Sequence, residues 1–497
     1  MVHEINDRVQ IDGKPCTIRF IGEIHKWPGS IAYGVEWDDS KRGKNSGTID
    51  DQVYFKTVVP NAGSFLKDTK WSLLSDSGVS FYEALQEKYG KPHNEGEDIY
   101  LGTKRVESFG FEKLAIEEQN LGNLQGICLD HCKISCLKND IDRAPNNFFN
   151  ISELDLSYNL LSDIKEICEF ISCFRDLKFL DLSGNYFTKG WENLDQYSFP
   201  AVTILYLSNC RLDLYQLNKL LKTFPSVEIL NVSKNYLRDV TDSVVQLSAS
   251  TRELTLSGNS IRHLPRSLSN WNLHTLNLSH NAIQTASYSL RTDLKNLDLS
   301  YNLIDDWKTL DQLNIIFPEL HSLRVNGNPF FENGEDHLAQ FYLLIARVNN
   351  LDILNGSLLS KKEREEAKLF FVSQVSQGLV EYDKSSELWY RLHRQYAPNY
   401  DIKGIEKSWL GSQILNLRVK QEETQTTVDL TILSSYTIRN LKRIICEHLS
   451  MNILEITLCY YIAPSVLEEI CQDFTPVSDL NLTNGDSIYV KRKRPEH

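Results

Sequence analysis

A recurrence through the middle of the chain restricts the possible folds more than any other feature. The pattern Leu-x-x-Leu-x-Leu-x-x-(Asn/Cys)-x-Leu returns with its Asn or Cys at Cys132, Asn159, Asn185, Cys210, Asn235, Asn259, Asn281, Asn302 and Asn328. The steps are 27, 26, 25, 25, 24, 22, 21 and 26 residues. A unit of that length is one short strand plus a return segment, too small to bury its apolar face alone. Neighbours must stack and share one elongated core. Leu154, Leu156 and Leu161 form the inward set of one unit. The recurring Asn or Cys turns inward as well and bonds backbone groups in the bend, which is why a polar residue recurs at a buried place.

Alternation along each strand sends the residues between the leucines outward, onto the concave face of the stack. Those positions include Asp130, Glu153, Asp155, Phe179, Asp181, Tyr206, Asn231, Thr255, Asn277, Asp298 and Arg324, acidic at the start and polar later. The same alternation points Cys128 outward and Cys132 inward, so the group Cys128, His131, Cys132 and Cys136 is not expected to share a metal. The helical spacing of Phe341, Leu344, Ile345, Val348 and Leu351 predicts a helical stretch from His337 to about Gln377 that caps the stack. Its run Lys361 to Glu366 reads as a solvated helix face.

At 497 residues the chain has room for about three domains. Nothing in the charged N-terminus from Met1 to Arg8 resembles an export signal. The apolar run Phe341 to Ala346 is far shorter than the ~20 residues a membrane crossing needs. Ten cysteines at this length then suit free thiols in a reducing compartment, the cytoplasm. A net charge of −13 disfavours nucleic acid and anionic membrane as partners. Residues 1–70 contain ten Lys/Arg and ten Asp/Glu, so the rest of the chain carries all of that charge. An acidic ligand would be met by the first domain.

From Ser412 the period changes to two, with Ile414 to Val419 and Val428 to Ile432 alternating like paired strands. Thr437 to Leu449 follows at helical spacing, and Ile456 to Ile462 and Ser487 to Val490 return to strand. Two strands, a helix and further strands resemble the ubiquitin-like β-grasp. The closing Lys491-Arg492-Lys493-Arg494-Pro495-Glu496-His497 has no glycine pair for conjugation, which implies a docking module instead of a modifier.

Residues 5 to about 72 are rich in Gly, β-branched and aromatic residues without a helical period, predicting a small twisted β-barrel. Phe20-Ile21-Gly22, Gly34-Val35-Glu36-Trp37-Asp38, Gly43-Lys44-Asn45-Ser46-Gly47, Val53-Tyr54-Phe55 and Gly63-Ser64-Phe65 stand in the order of CAP-Gly landmarks. This stretch resembles that family, which binds acidic, aromatic-ended tails of α-tubulin and of some plus-end proteins. The resemblance implies a tail site made of Phe20, Gly43, Lys44, Asn45, Ser46, Gly47 and Phe65. Glycines allow a peptide close to the backbone, Lys44 and Asn45 meet carboxylates, and the phenylalanines shelter a terminal ring. The family's usual Trp is Ala32 here and its usual loop Asp is Ser46. Trp27 is the candidate to refill the groove.

The full pattern is multidomain α+β: a CAP-Gly β-barrel at 1–72, a leucine-rich-repeat solenoid with C-terminal helical cap at 100–377, and a ubiquitin-like β-grasp at 412–494. That order resembles the tubulin-folding cofactor E family. It implies a chaperone that captures α-tubulin and, with tubulin cofactors D and C, assembles or dissociates the αβ dimer, in the cytoplasm and in association with the cytoskeleton. Cofactor B and proteasome or ubiquitin-receptor components are further candidate partners. The alternatives are a microtubule plus-end adaptor and a ubiquitin-pathway adaptor. No phosphate-loop, nucleophile-elbow or zinc-protease motif occurs, so neither catalytic residue nor cofactor nor metal is expected.

Overall fold

The computed structural model describes residues 3–89, 100–101, 104–105, 124–140, 150–238, 245–285, 292–332, 337–348, 350–396, 414–421, 426–434, 436–449, 451–463, 466–470, 473, 475–480 and 482–492. It divides into two compact units. One comprises Met1–Glu97, Ser108–Asn333 and Val348–Ser360, the other Asp98–Glu107, Gly334–Arg347 and Lys361–His497.

The first unit opens with a five-stranded antiparallel sheet in the order Gly63–Lys67, Ile31–Trp37, Lys14–Glu23, Arg8–Ile11, Ser75–Asp76. Its end strands do not pair with each other, so the barrel expected from the sequence is an open sheet at that edge. Asp12 and Gly13, both left-handed, make the two-residue turn that joins its first hairpin. One face buries Val9, Ile11, Cys16, Ile18, Val35, Trp37 and Leu66 with Trp71 from the helix Asp68–Leu74.

The repeats build a parallel ladder of three-residue strands, from Gly126–Cys128 through Glu153–Asp155 and onward to Ser322–Arg324. Their central residues, Ile127, Leu154, Leu180, Leu205, Leu230, Leu254, Leu276, Leu297 and Leu323, are each no more than 2% exposed. Their neighbours in each strand face outward, as alternation predicts. Asn159 shows how the bends close: its Oδ1 accepts from Ile134 N at 2.9 Å and its Nδ2 donates to Leu129 O at 2.8 Å and Leu156 O at 2.9 Å. The residue before each recurring Asn or Cys is left-handed, with φ between 53° and 73° from His131 to Gly327. Where that residue is Tyr158 or Tyr301, the next repeat supplies Gly184 or Gly327, whose Cβ would lie 2.5 Å from the ring.

The interval between the first two predicted domains is the junction between sheet and ladder. Ser75 pairs with Ile11 of the N-terminal sheet, and Val79–Ser80 runs parallel to Ile134–Cys136 of the first repeat. The helix Phe81–Tyr89 then sets Phe81 against Phe170, with ring centroids 4.7 Å apart. The sheet also touches the ladder directly. Thr188 Oγ1 donates to Asn6 O at 2.8 Å and Lys189 pairs with Asp7 at 2.5 Å.

The continuous helical stretch expected over His337–Gln377 is instead two helices, His337–Arg347 and Lys361–Ser376. Between them Ile353–Leu354 joins the parallel ladder and turns back through Asn355-Gly356 into Ser357–Leu358. An Asn-Gly pair with both residues left-handed is a hairpin turn that no helix accommodates. The run Lys361 to Glu366 is not wholly solvated either: Glu366 is 6% exposed and accepts from the Tyr342 hydroxyl at 3.2 Å.

The second unit contains these two helices, a third at Glu387–Tyr396, and a mixed five-stranded sheet. The sheet runs Thr427–Leu433, Ile414–Gln421, Ser487–Arg492, Ile456–Ala463, Val466–Glu469, with Ile414–Gln421 parallel to Ser487–Arg492 and the other pairs antiparallel. The helix Ile438–Leu449 packs Ile438, Leu441, Ile445 and Cys446 into its core. The basic tail beyond Arg492 lies outside the described residues.

Candidate peptide-binding site

The face of the N-terminal sheet opposite its core is set by register. Phe20 pairs with Gly34 and Gly34 with Phe65; one step along, Gly22 pairs with Ala32 and Ala32 with Lys67. Gly34 is required here because a Cβ would lie 2.4 Å from the Phe55 ring. Across that glycine Phe20, Tyr54 and Phe65 make a half-buried aromatic cluster. The centroid distances are 5.4 Å for Phe20–Tyr54, 5.6 Å for Tyr54–Phe65 and 6.3 Å for Phe20–Phe65. Phe55 lies beneath, 5.1 Å from Phe65.

The loop Gly43 to Gly47 is pinned against this cluster by backbone approach. A Cβ on Gly43 would lie 1.9 Å from Asn61 O, and one on Gly47, left-handed at φ +94°, 2.2 Å from Phe55 O. Lys44 N and Asn45 N both donate to Gly63 O, at 2.7 and 3.1 Å. Asn45 Oδ1 accepts from Gly47 N at 2.9 Å, a bond that does not use the amide Nδ2. Ser46 Oγ accepts from Asn61 N at 2.8 Å, so its hydroxyl holds the facing loop. Lys44 is exposed and has no ion pair among the described residues. Trp27 stands at the Ala32 end of the face, its ring centroid 5.3 Å from the Nζ of Lys67, the cross-strand partner of Ala32.

Sequence reasoning named seven of these residues together with Trp27 and missed others. Tyr54 lines the cluster, its hydroxyl held by His25 Nδ1 at 2.6 Å, while His25 Nε2 meets Asp50 at 2.9 Å. That bond to His25 lowers the Asp50 carboxyl below its usual range. Tyr54 was legible as part of a landmark, but an aromatic beside a buried Phe55 does not show by itself which ring faces out. Glu36, also within a landmark, is fully buried and bound by Arg19 at 2.9 Å.

The other candidate cluster is Cys128 with Asp130 and Asp155, whose ligand atoms lie within 4.8 Å of one another. Burial pushes the Cys128 thiol up to about 11, and it donates to Asp130 at 3.1 Å and Asp155 at 3.4 Å. A protonated thiol is a poor nucleophile. Lys88 stands 3.3 Å from Asp130, placing a cation beside the acidic pair. The hydrogen bonds from Cys128, His131 and Lys88 hold the Asp130 carboxyl at about 2.

An aromatic floor beside a glycine loop with one free-standing lysine defines a binding module of the CAP-Gly class, and the CAP-Gly domain family matches residues 5–71. The likeness to curated relatives extends over the whole chain. Protein PAC2 of Saccharomyces cerevisiae is 36% identical across 99% of this chain and 97% of its own length. Tubulin-specific chaperone E of Bos taurus is 26% identical over 98% of both, and that of Homo sapiens likewise 26% over 98% of both. The chain belongs to the family of Protein PAC2, and it is similar to tubulin-specific chaperone E over nearly its full length. Among solved structures, the C-terminal ubiquitin-like domain of mouse tubulin-specific chaperone e is 22% identical over 17% of this chain and 92% of that one; its TM-score of 0.16 is too low to bear on the fold. No described helix is long and apolar enough to cross a membrane.

Proposed function

We propose that this chain is a tubulin chaperone whose N-terminal module holds the acidic, aromatic-ended tail of α-tubulin. With cofactors D and C as co-workers, it assembles or dissociates the αβ dimer. The observation that carries this reading is the half-buried Phe20–Tyr54–Phe65 cluster beside the exposed Lys44. A terminal aromatic ring enters the cluster edge-on, while Lys44 and the Asn45 amide meet the neighbouring carboxylates. Trp27 at the Ala32 end supplies the wall that the family's usual Trp would have given. Each charge-assisted bond of this kind contributes roughly 1.5 to 3 kcal/mol.

Subunit interfaces of the obligate type bury ~2,000 Å² or more, and a tail contact alone does not offset that. The module at 1–72 therefore acts as a tether. The repeat array with its cap at 100–377 and the β-grasp domain at 412–494 engage the tubulin body at raised effective concentration. In a pull-down of soluble tubulin, the Lys44→Ala, Asn45→Ala double variant loses most of its capture. Capture near that of the wild type would refute the tether.

A further inference from the structure

We propose that Arg211, a residue of the repeat array, is a positioning residue for tail recognition, acting through Glu36 on the loop that shapes the Gly43 to Gly47 turn. The inference rests on the reading of this face as a tail site.

Glu36 stands on the ligand side of strand Ile31–Trp37, in line with Ala32 and Gly34, and is fully buried. One carboxylate oxygen takes the Arg19 guanidinium at 2.9 Å. The other accepts from Val58 N at 2.9 Å, Val59 N at 3.2 Å and Arg211 Nη1 at 3.2 Å. Val58 and Val59 begin the loop whose later residues frame the glycine turn. Val59 O accepts from Ala62 N at 3.2 Å, Asn61 N donates to Ser46 Oγ at 2.8 Å, and Asn61 O lies where any side chain on Gly43 would go. Gly63 O then holds the amides of Lys44 and Asn45. Every link from Arg211 to Lys44 is thus a bond or a close backbone contact.

Arg211 is itself firmly placed. It is left-handed at φ +56°, and its guanidinium lies 4.1 Å from the Tyr186 ring centroid. Arg8 meets the same ring at 4.2 Å and forks onto Asp38 at 2.9 and 2.6 Å. A buried carboxylate is costly unless its hydrogen-bond and ionic partners stay in place. Among the described residues, Arg211 is one of two side-chain cations on Glu36, and it comes from outside the CAP-Gly match. The tail site is therefore incomplete without the repeat array, and whatever shifts the Tyr186–Arg211 edge shifts the loop under Lys44.

The test uses the full chain and a synthetic acidic peptide with a C-terminal tyrosine and free carboxylate, titrated by fluorescence anisotropy. Arg211→Ala should weaken binding about tenfold. Arg211→Lys should recover part of the loss, because an ammonium pairs with Glu36 without forking. Ser46→Ala, which acts on the same loop, should add less than its separate effect when combined with Arg211→Ala. Arg211→Met keeps the stem on Tyr186 and replaces alanine if alanine disturbs the array. Full additivity, or wild-type affinity in the Arg211 variants, would overturn the proposal. Hydrogen exchange at Val58, Val59 and Asn61 gives a readout independent of the ligand. It should be about tenfold faster in Arg211→Ala, and an unchanged rate would overturn the coupling. If the wild type ignores the peptide, the tail-site reading fails, whereas this exchange comparison still decides the coupling.

Discussion

Asn235 carries in one side chain the logic of the whole ladder. Only 3% exposed, it accepts from Cys210 N at 3.0 Å and Leu212 N at 2.9 Å and donates to Leu207 O at 2.8 Å and Val232 O at 3.0 Å. Asn235→Ala removes the partner of Cys210 N, Leu212 N and Leu207 O in the core, Val232 O still accepting from Asn259 Nδ2 at 3.1 Å, and chemical denaturation should show a loss of about 3 kcal/mol or more. Asp181 behaves oppositely. Burial, and then the nearby Asp155, raise its carboxyl above the usual range. The folded state therefore disfavours its charge, and this penalty is present above the folded pKa and disappears as pH falls below the unfolded one. Asp181→Asn keeps an acceptor for Ser183 N, which the aspartate holds at 2.8 Å. Its melting temperature should exceed that of the wild type at pH 7.5, with the gain vanishing near pH 3.5. The asparagines were legible because a polar residue recurring at a buried position has one physical explanation. Glu36 and Arg211 were not, since their bond joins residues 175 positions apart and neither carries a local pattern.

At the scale of elements, legibility followed length and repetition. Nine copies of one period left the ladder no other fold, whereas the strands at Ser75–Asp76 and Val79–Ser80 are two residues each and have no period to read. The hairpin at Asn355-Gly356 was hidden because the helical spacing on either side runs through it, although the dipeptide is a turn signal in its own right. The junction rests on Gly78, left-handed at φ +78°, where a Cβ would lie 2.3 Å from Lys133 O. Gly78→Ala should cost about 2 kcal/mol through backbone strain. It should also open the segment to limited proteolysis around residues 73–80 before the ladder itself is cut. Cleavage at the wild-type rate would show that this connection does not hold the sheet in place.

For the molecule as a whole, the sequence suggested a nearly neutral module beside an acidic remainder, and in the structure that module is built onto the repeat array. Lys189 on Asp7, Thr188 on Asn6 and Arg211 on Glu36 all join residues at least 175 positions apart. Composition reported the sign of the charge and said nothing of this contact. The central claim, that an acidic tail is gripped by the N-terminal face while other surfaces engage the tubulin body, is tested most directly with the ligand altered instead of the chaperone. The full chain should be titrated in parallel with intact soluble tubulin and with tubulin whose carboxyl-terminal tails have been removed by protease. We expect capture of the tailless form to fall to the level of the Lys44→Ala, Asn45→Ala variant on intact tubulin. Equal capture of both forms by the wild type would contradict the account.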